Sequence, residues 1–143
     1  MKAVVIHEKG VSEVIDLNPG KETDEGMHFE RYNEIIGSEM FDAVCRRIGG
    51  TRVSIYVDDE GALPGGETDE EGNELPKREP VAVWRDEDRG EVVEVLFGTI
   101  IITGLPDGEG WCVGLTDAQV KEIMGHIGVT PDGRHILLYG GAW

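Results

Sequence analysis

The chain has 143 residues, with 29 Asp and Glu against 13 Lys and Arg and a formal net charge of -16. A field of that sign repels nucleic acid and anionic membranes and draws in basic protein surfaces. The length suits one domain, and no apolar run approaches the ~20 residues that cross a bilayer. The acid is uneven. Residues 58–94 carry 14 acids and 4 bases, residues 8–42 carry 10 and 3, and residues 43–57 are net positive through Arg46, Arg47 and Arg52.

In chain order, Ala3-Val4-Val5-Ile6 reads as a strand, too short for a secretory h-region, so a cytoplasmic location is expected. The Lys9-Gly10 turn leads to a second strand over residues 11–17, a hairpin signature closed by Asn18-Pro19-Gly20. Phe29, Tyr32, Ile35 and Ile36 fall at helical spacing, with Gly37 as the stop. Met40, Phe41, Val44, Cys45 and Ile48 make an apolar stripe at helical offsets, which predicts a second helix capped by Ser38 and ended by Gly49-Gly50. Residues 51–57 alternate and predict a half-exposed antiparallel strand.

Residues 58–80 are rich in acid, Gly and Pro and predict a surface excursion from a single domain spanning residues 1–143. Within it, Asp58-Asp59-Glu60-Gly61 is echoed by Asp69-Glu70-Glu71-Gly72. Val81-Ala82-Val83-Trp84 is a short apolar patch. The most β-prone stretch runs from Val92 to Thr103 with a break at Gly98, and its β-branched second half predicts a central strand. Thr116 and Gln119 form a capping box before a helix with Val120, Ile123, Met124 and Ile127 on its buried stripe, ending at Gly128. Residues 135–139 predict a last strand, after which Gly140 and Gly141 release Trp143. These elements predict an α+β fold: a mostly antiparallel sheet of five or six short strands with two or three helices packed on one face.

No constellation names a reaction. Cys45 and Cys112 lack zinc spacing and are expected to be two buried, reduced thiols. His7, His28, His126 and His135 are scattered, and the acidic turns lack the calcium-loop pattern. Neither a metal nor a cofactor is expected, and the chain is not expected to be an enzyme.

Several segments together resemble domain of unknown function 3846, an uncharacterised family of bacteriophages, conjugative plasmids and their bacterial hosts. The resembling pieces are residues 41–50 ending in Ile-Gly-Gly, residues 51–61 ending in Val-Asp-Asp-Glu-Gly, Leu75-Pro76 with Ala82 beyond it, the Gly-flanked run 98–104, and Leu115-Thr116-Asp117-Ala118-Gln119-Val120. They cover roughly positions 41 to 125. Lys77-Arg78-Glu79 follows Leu-Pro where members often carry Asn, and residues 17–42 are longer than usual. The resemblance implies a small accessory protein of a mobile element in bacterial cytoplasm.

The expected function is an acidic protein that binds a basic host protein surface, in the limit as a DNA mimic or anti-defence factor. Its partner-binding residues would be Asp58, Asp59, Glu60, Glu67, Asp69, Glu70, Glu71 and Glu74. No direct nucleic-acid or membrane binding is expected, and a homo-oligomer is left open but not indicated. One alternative is an anionic-ligand module, nucleotide-like in its ligand, using Arg46, Arg47 and Arg52. Another is a soluble domain whose acidity only keeps it in solution.

Overall fold

Two uninterrupted apolar runs, residues 3–6 and 100–102, have no polar side to offer water, and both become strands buried on two faces. In the computed structural model, which describes residues 1–8, 11–17, 30–37, 41–61, 63–86, 88–106, 113–133 and 135–141, they form β1 (Lys2–Ile6) and β9 (Ile100–Gly104). Around them stand β2 (Ser12–Asp16), β3 (Phe41–Ile48), β4 (Thr51–Asp58), β7 (Pro80–Asp86), β8 (Val92–Phe97) and β11 (Ile136–Gly141). They make one sheet in the order β2-β1-β9-β4-β3-β11-β7-β8, with β10 (Ile127–Val129) paired to β11. All its pairs are antiparallel except β7 with β11. A separate hairpin joins β5 (Pro64–Thr68) to β6 (Glu74–Pro76).

The α+β expectation is therefore corrected. Among the described residues the protein is mostly β, with eleven strands and two short helices, α1 (Glu30–Ile36) and α2 (Asp117–Gly125). Nor do the helices share a face. Side chains alternate across a strand, so Val4 and Ile6 of β1, Val53 and Ile55 of β4, and Ile100 and Ile102 of β9 fill one core, which includes Ile123 of α2. Ala3 and Val5, Tyr56 and Ile101 fill the other, with Tyr32 and Ile36 of α1. Tyr32, Phe41 and Tyr56 meet there as an aromatic trio, with ring centroids 4.9 to 6.0 Å apart.

The helix expected over residues 41–48 is strand β3. Its apolar residues fit helical offsets, but pairing with β4 from Phe41↔Asp58 to Ile48↔Thr51 satisfies every step of the ladder. Gly49-Gly50 is a two-residue hairpin turn with positive φ at Gly49, rather than a helix stop. β4 itself is not half-exposed. Ser54 and Tyr56 are as buried as Val53 and Ile55, because α1 covers the side that alternation had assigned to solvent. The helix α2 has the Thr116–Gln119 capping box in both directions but ends at Gly125. Ile127 and Gly128 then pair with β11, and Gly140 and Gly141 continue β11 against β3. Cys45 is exposed rather than buried. The expectations placed on Lys9-Gly10, Asn18-Pro19-Gly20, His28, Phe29, Ser38, Met40, Cys112 and Trp143 concern residues outside those described.

Only Gly98 and Thr99 join β8 to β9, yet β7, β11, β3 and β4 lie between those strands in the sheet. Laid flat, five steps of roughly 4.8 Å would separate them by about 24 Å, whereas so short a link reaches about 10 Å. The sheet must roll, carrying β8 back over β3 and β4. An ion pair from Arg46 of β3 to Glu94 of β8, 3.3 Å long, spans the resulting seam. Gly98 turns the chain there with a φ of 78°.

Candidate functional site

The repeated Asp-acid-acid-Gly sequence is a repeated turn. Asp58 Oδ1 accepts from the Glu60 N–H at 3.0 Å, and the Gly61 N–H donates to the Asp58 carbonyl at 3.2 Å. Asp69 Oδ1 accepts from the Glu71 N–H at 3.0 Å, and the Gly72 N–H donates to the Asp69 carbonyl at 3.1 Å. Aspartate is suited to this because its short carboxylate reaches the backbone two residues on. Asp86 does the same for Asp88 before the turn at Gly90. Three acids of the negative segment thus build turns.

Asp58 is taken out of the candidate surface altogether. Its side chain is 0% exposed and pairs with Arg78 Nε at 3.2 Å. Arg78 Nη2 also donates to the Gly37 carbonyl at 2.6 Å, and its stem lies where a side chain on Gly98 would sit. Arg78 therefore ties the return of the 58–80 segment to the end of α1 and to the β8–β9 link. Backbone bonds from Lys77 N–H to Leu63 and from Arg78 N–H to Gly61 close the base of the excursion.

Beyond that base, the β5–β6 hairpin is almost wholly in water. Every residue of β5 is exposed, as are Glu70, Glu71 and Glu74. Between Pro64 and Pro76 there are five carboxylates and no base. Asp69 is engaged in its turn, and it also accepts from the Asn73 N–H at 2.9 Å. Glu60 pairs with Lys77 at 3.6 Å. Asp59, Glu67, Glu70, Glu71 and Glu74 make no ion pair among the described residues. The structure thus brings five of the eight expected residues to the surface with free carboxylates.

The three arginines do not converge. Arg46 and Arg47 are adjacent on β3, so their side chains leave opposite faces. Arg46 turns to Glu94 across the seam. Arg47 donates to the Gly49 carbonyl at 2.7 Å and lies 3.9 Å from Asp88. Arg52 is the cross-strand partner of Arg47. An anion facing all three at once has no place here.

Two grooves accompany these charges. One, of about 590 Å³, is lined by Met1, Lys2, Val14, Ile15, Asp16, Leu115, Thr116 and Asp117. Its charges are internally matched, Lys2 with Asp117 and the Met1 ammonium with Asp16 at 2.7 Å. That ammonium, by its hydrogen bond and its charge, holds the Asp16 carboxyl below its ordinary value. The other, of about 540 Å³, lies under the acidic hairpin and is lined by Glu8, Glu67 and residues 75–80. Sequence reading missed it, since it joins the end of β1 to residues nearly seventy positions later. Among the described residues, no cluster of three His, Cys, Asp or Glu side chains is placed to hold a metal, and no helix is long and apolar enough to cross a membrane.

A family model described as "Domain of unknown function (DUF3846)" matches residues 1–128. No curated protein and no solved structure matches the chain.

Proposed function

The chain belongs to the DUF3846 family, a domain of unknown function, and we propose that it is an accessory protein of a mobile element that binds a basic protein surface. The reading places it in bacterial cytoplasm, with a host nucleic-acid-binding or defence protein as its partner. One observation carries it: Glu67, Glu70, Glu71 and Glu74 make no ion pair among the described residues and stand on an exposed hairpin that contributes no core residue. A hairpin of that kind projects charge into solvent. Carboxylates held only for solubility would have no need of one projecting element.

Long-range attraction of this sort raises encounter rates and is screened over a Debye length of ~10 Å at 0.1 M salt. The test is affinity capture from bacterial lysate with the parent chain and with a variant carrying Glu→Gln at positions 67, 70, 71 and 74. Basic proteins retained by the parent at low salt, released at high salt, competed off by added DNA and lost with the variant support the reading. Equal capture by both chains, or an acidic partner indifferent to salt, contradicts it.

A further inference from the structure

The groove under the hairpin differs from an acidic cluster in having a floor. Leu75, Pro76 and Pro80 line it, and Leu75 keeps 38% of its surface exposed. The two prolines of that floor lock φ, so the surface is largely preformed. Its two cations are already engaged: Lys77 lies 3.6 Å from Glu60, and Arg78 is bound to Asp58 and to the Gly37 carbonyl. Its carboxylates are not matched in the same way. Glu67 and Glu79 have exposed side chains with no ion pair or hydrogen bond among the described residues, and Glu8 accepts only the Glu79 N–H, at 3.0 Å. The comparably sized groove beside α2 has each of its acids matched to a cation.

From this complementarity we propose that the groove seats an arginine side chain of the basic partner, presented on an extended segment with an apolar neighbour. The proposal rests on the reading above and narrows it. Arginine fits the chemistry for three reasons. Its methylene stem covers an apolar floor while its head stays polar. Its planar fork bonds carboxylates in a bidentate manner, which a lysine ammonium does not. Its charge answers the local excess that Lys77 and Arg78 leave unmatched. Glu67 and Glu79 are the acceptors, and Leu75 is the apolar anchor.

The experiment uses the full chain, isotope-labelled for NMR, and two synthetic dodecapeptides, one alternating arginine with leucine and one alternating lysine with serine. The arginine–leucine peptide is expected to shift the amide signals of residues 75–79 and Glu67 and to bind more tightly than the lysine–serine peptide. Glu67→Gln with Glu79→Gln should weaken it about tenfold, the worth of one charge-assisted bond or slightly less. Leu75→Ser should weaken the arginine–leucine peptide and leave the lysine–serine peptide unaffected. Glu70→Gln with Glu71→Gln, at the hairpin tip, should change either peptide less than twofold. All these positions are exposed, so folding is preserved and is checked in the same spectra. Equal affinity for both peptides, or a loss confined to the tip variant, overturns the groove while leaving the acidic-surface reading standing. Failure of both peptides to shift any signal overturns the groove as well, and lysate capture by the four-glutamate variant then decides the wider reading alone.

Discussion

Arg78→Met tests how the acidic excursion is held to the sheet. The substitution keeps an unbranched stem of similar reach beside Gly98 but removes two bonds, to Asp58 at 3.2 Å and to the Gly37 carbonyl at 2.6 Å. Asp58 stays behind with its side chain 0% exposed and with the Glu60 N–H at 3.0 Å as its remaining hydrogen-bond donor. Removing one partner of a buried pair costs about 3–5 kcal/mol, because the stranded charge must be desolvated without compensation. Arg78 is 25% exposed, which lets water reach the vacated space and argues for the low end, about 3 kcal/mol. For a domain of this size that lowers Tm by roughly 10 °C. Urea unfolding followed by circular dichroism measures the loss. Adding Asp58→Asn to Arg78→Met should recover at least about 1 kcal/mol, since the second change removes the stranded charge. A loss below about 1 kcal/mol for Arg78→Met, the scale of an exposed pair, would refute the clip.

Other perturbations follow from the packing. Gly140→Ala drives a methyl group into the Arg47 carbonyl oxygen; it should part β11 from β3 and destabilise by more than about 3 kcal/mol in urea unfolding. Thr116→Ala removes one side of the α2 capping box and should cost about 1 kcal/mol in the same assay. Replacing residues 67–74 by a four-residue Gly-Ser link should change stability by less than about 1 kcal/mol, because β5 is exposed throughout and, among the described residues, pairs with β6 alone. Asp16, depressed by the Met1 ammonium, contributes stability that is present above its unfolded pKa and lost as pH falls through its lower folded value. An NMR titration should therefore place its midpoint below that of an ordinary aspartate, and acetylating the amino terminus should raise it.

What the sequence makes legible is burial on two faces and local capping. Residues 3–6 and 100–102 lack any polar alternation, and both become strands enclosed on two sides, whereas β4 is enclosed as fully despite its alternating sequence. Thr116 and Gln119 announce α2, and Tyr32, Ile35 and Ile36 announce α1, because each signal lies within one or two turns of chain. Residues 41–48 mislead because Phe41, Val44, Cys45 and Ile48 suit a helix stripe, while the strand instead turns Val44, Arg46 and Ile48 to one face. A usable signal was present in Gly49-Gly50, a two-residue link between runs of equal length. The parallel pairing of β7 with β11 and the roll that returns β8 over β3 have no local signature at all. The site was legible as charge and illegible as geometry. Asp58 and Asp69 read like their neighbours in sequence, and only the folded chain separates them: backbone hydrogen bonds mark both as turn builders, and burial against Arg78 removes Asp58 from the surface. The groove is lined by Glu8 and by residues 75–80, whose proximity depends on tertiary contacts.

The most direct test of the central claim is the association rate with a captured basic partner, measured by stopped flow across salt concentration. The parent chain should associate fast at low salt and slow steeply as salt rises, and the variant with Glu→Gln at positions 67, 70, 71 and 74 should start slow and respond weakly, with dissociation little changed in both. Identical association rates for the two chains at low salt would contradict the claim that the hairpin is the working surface.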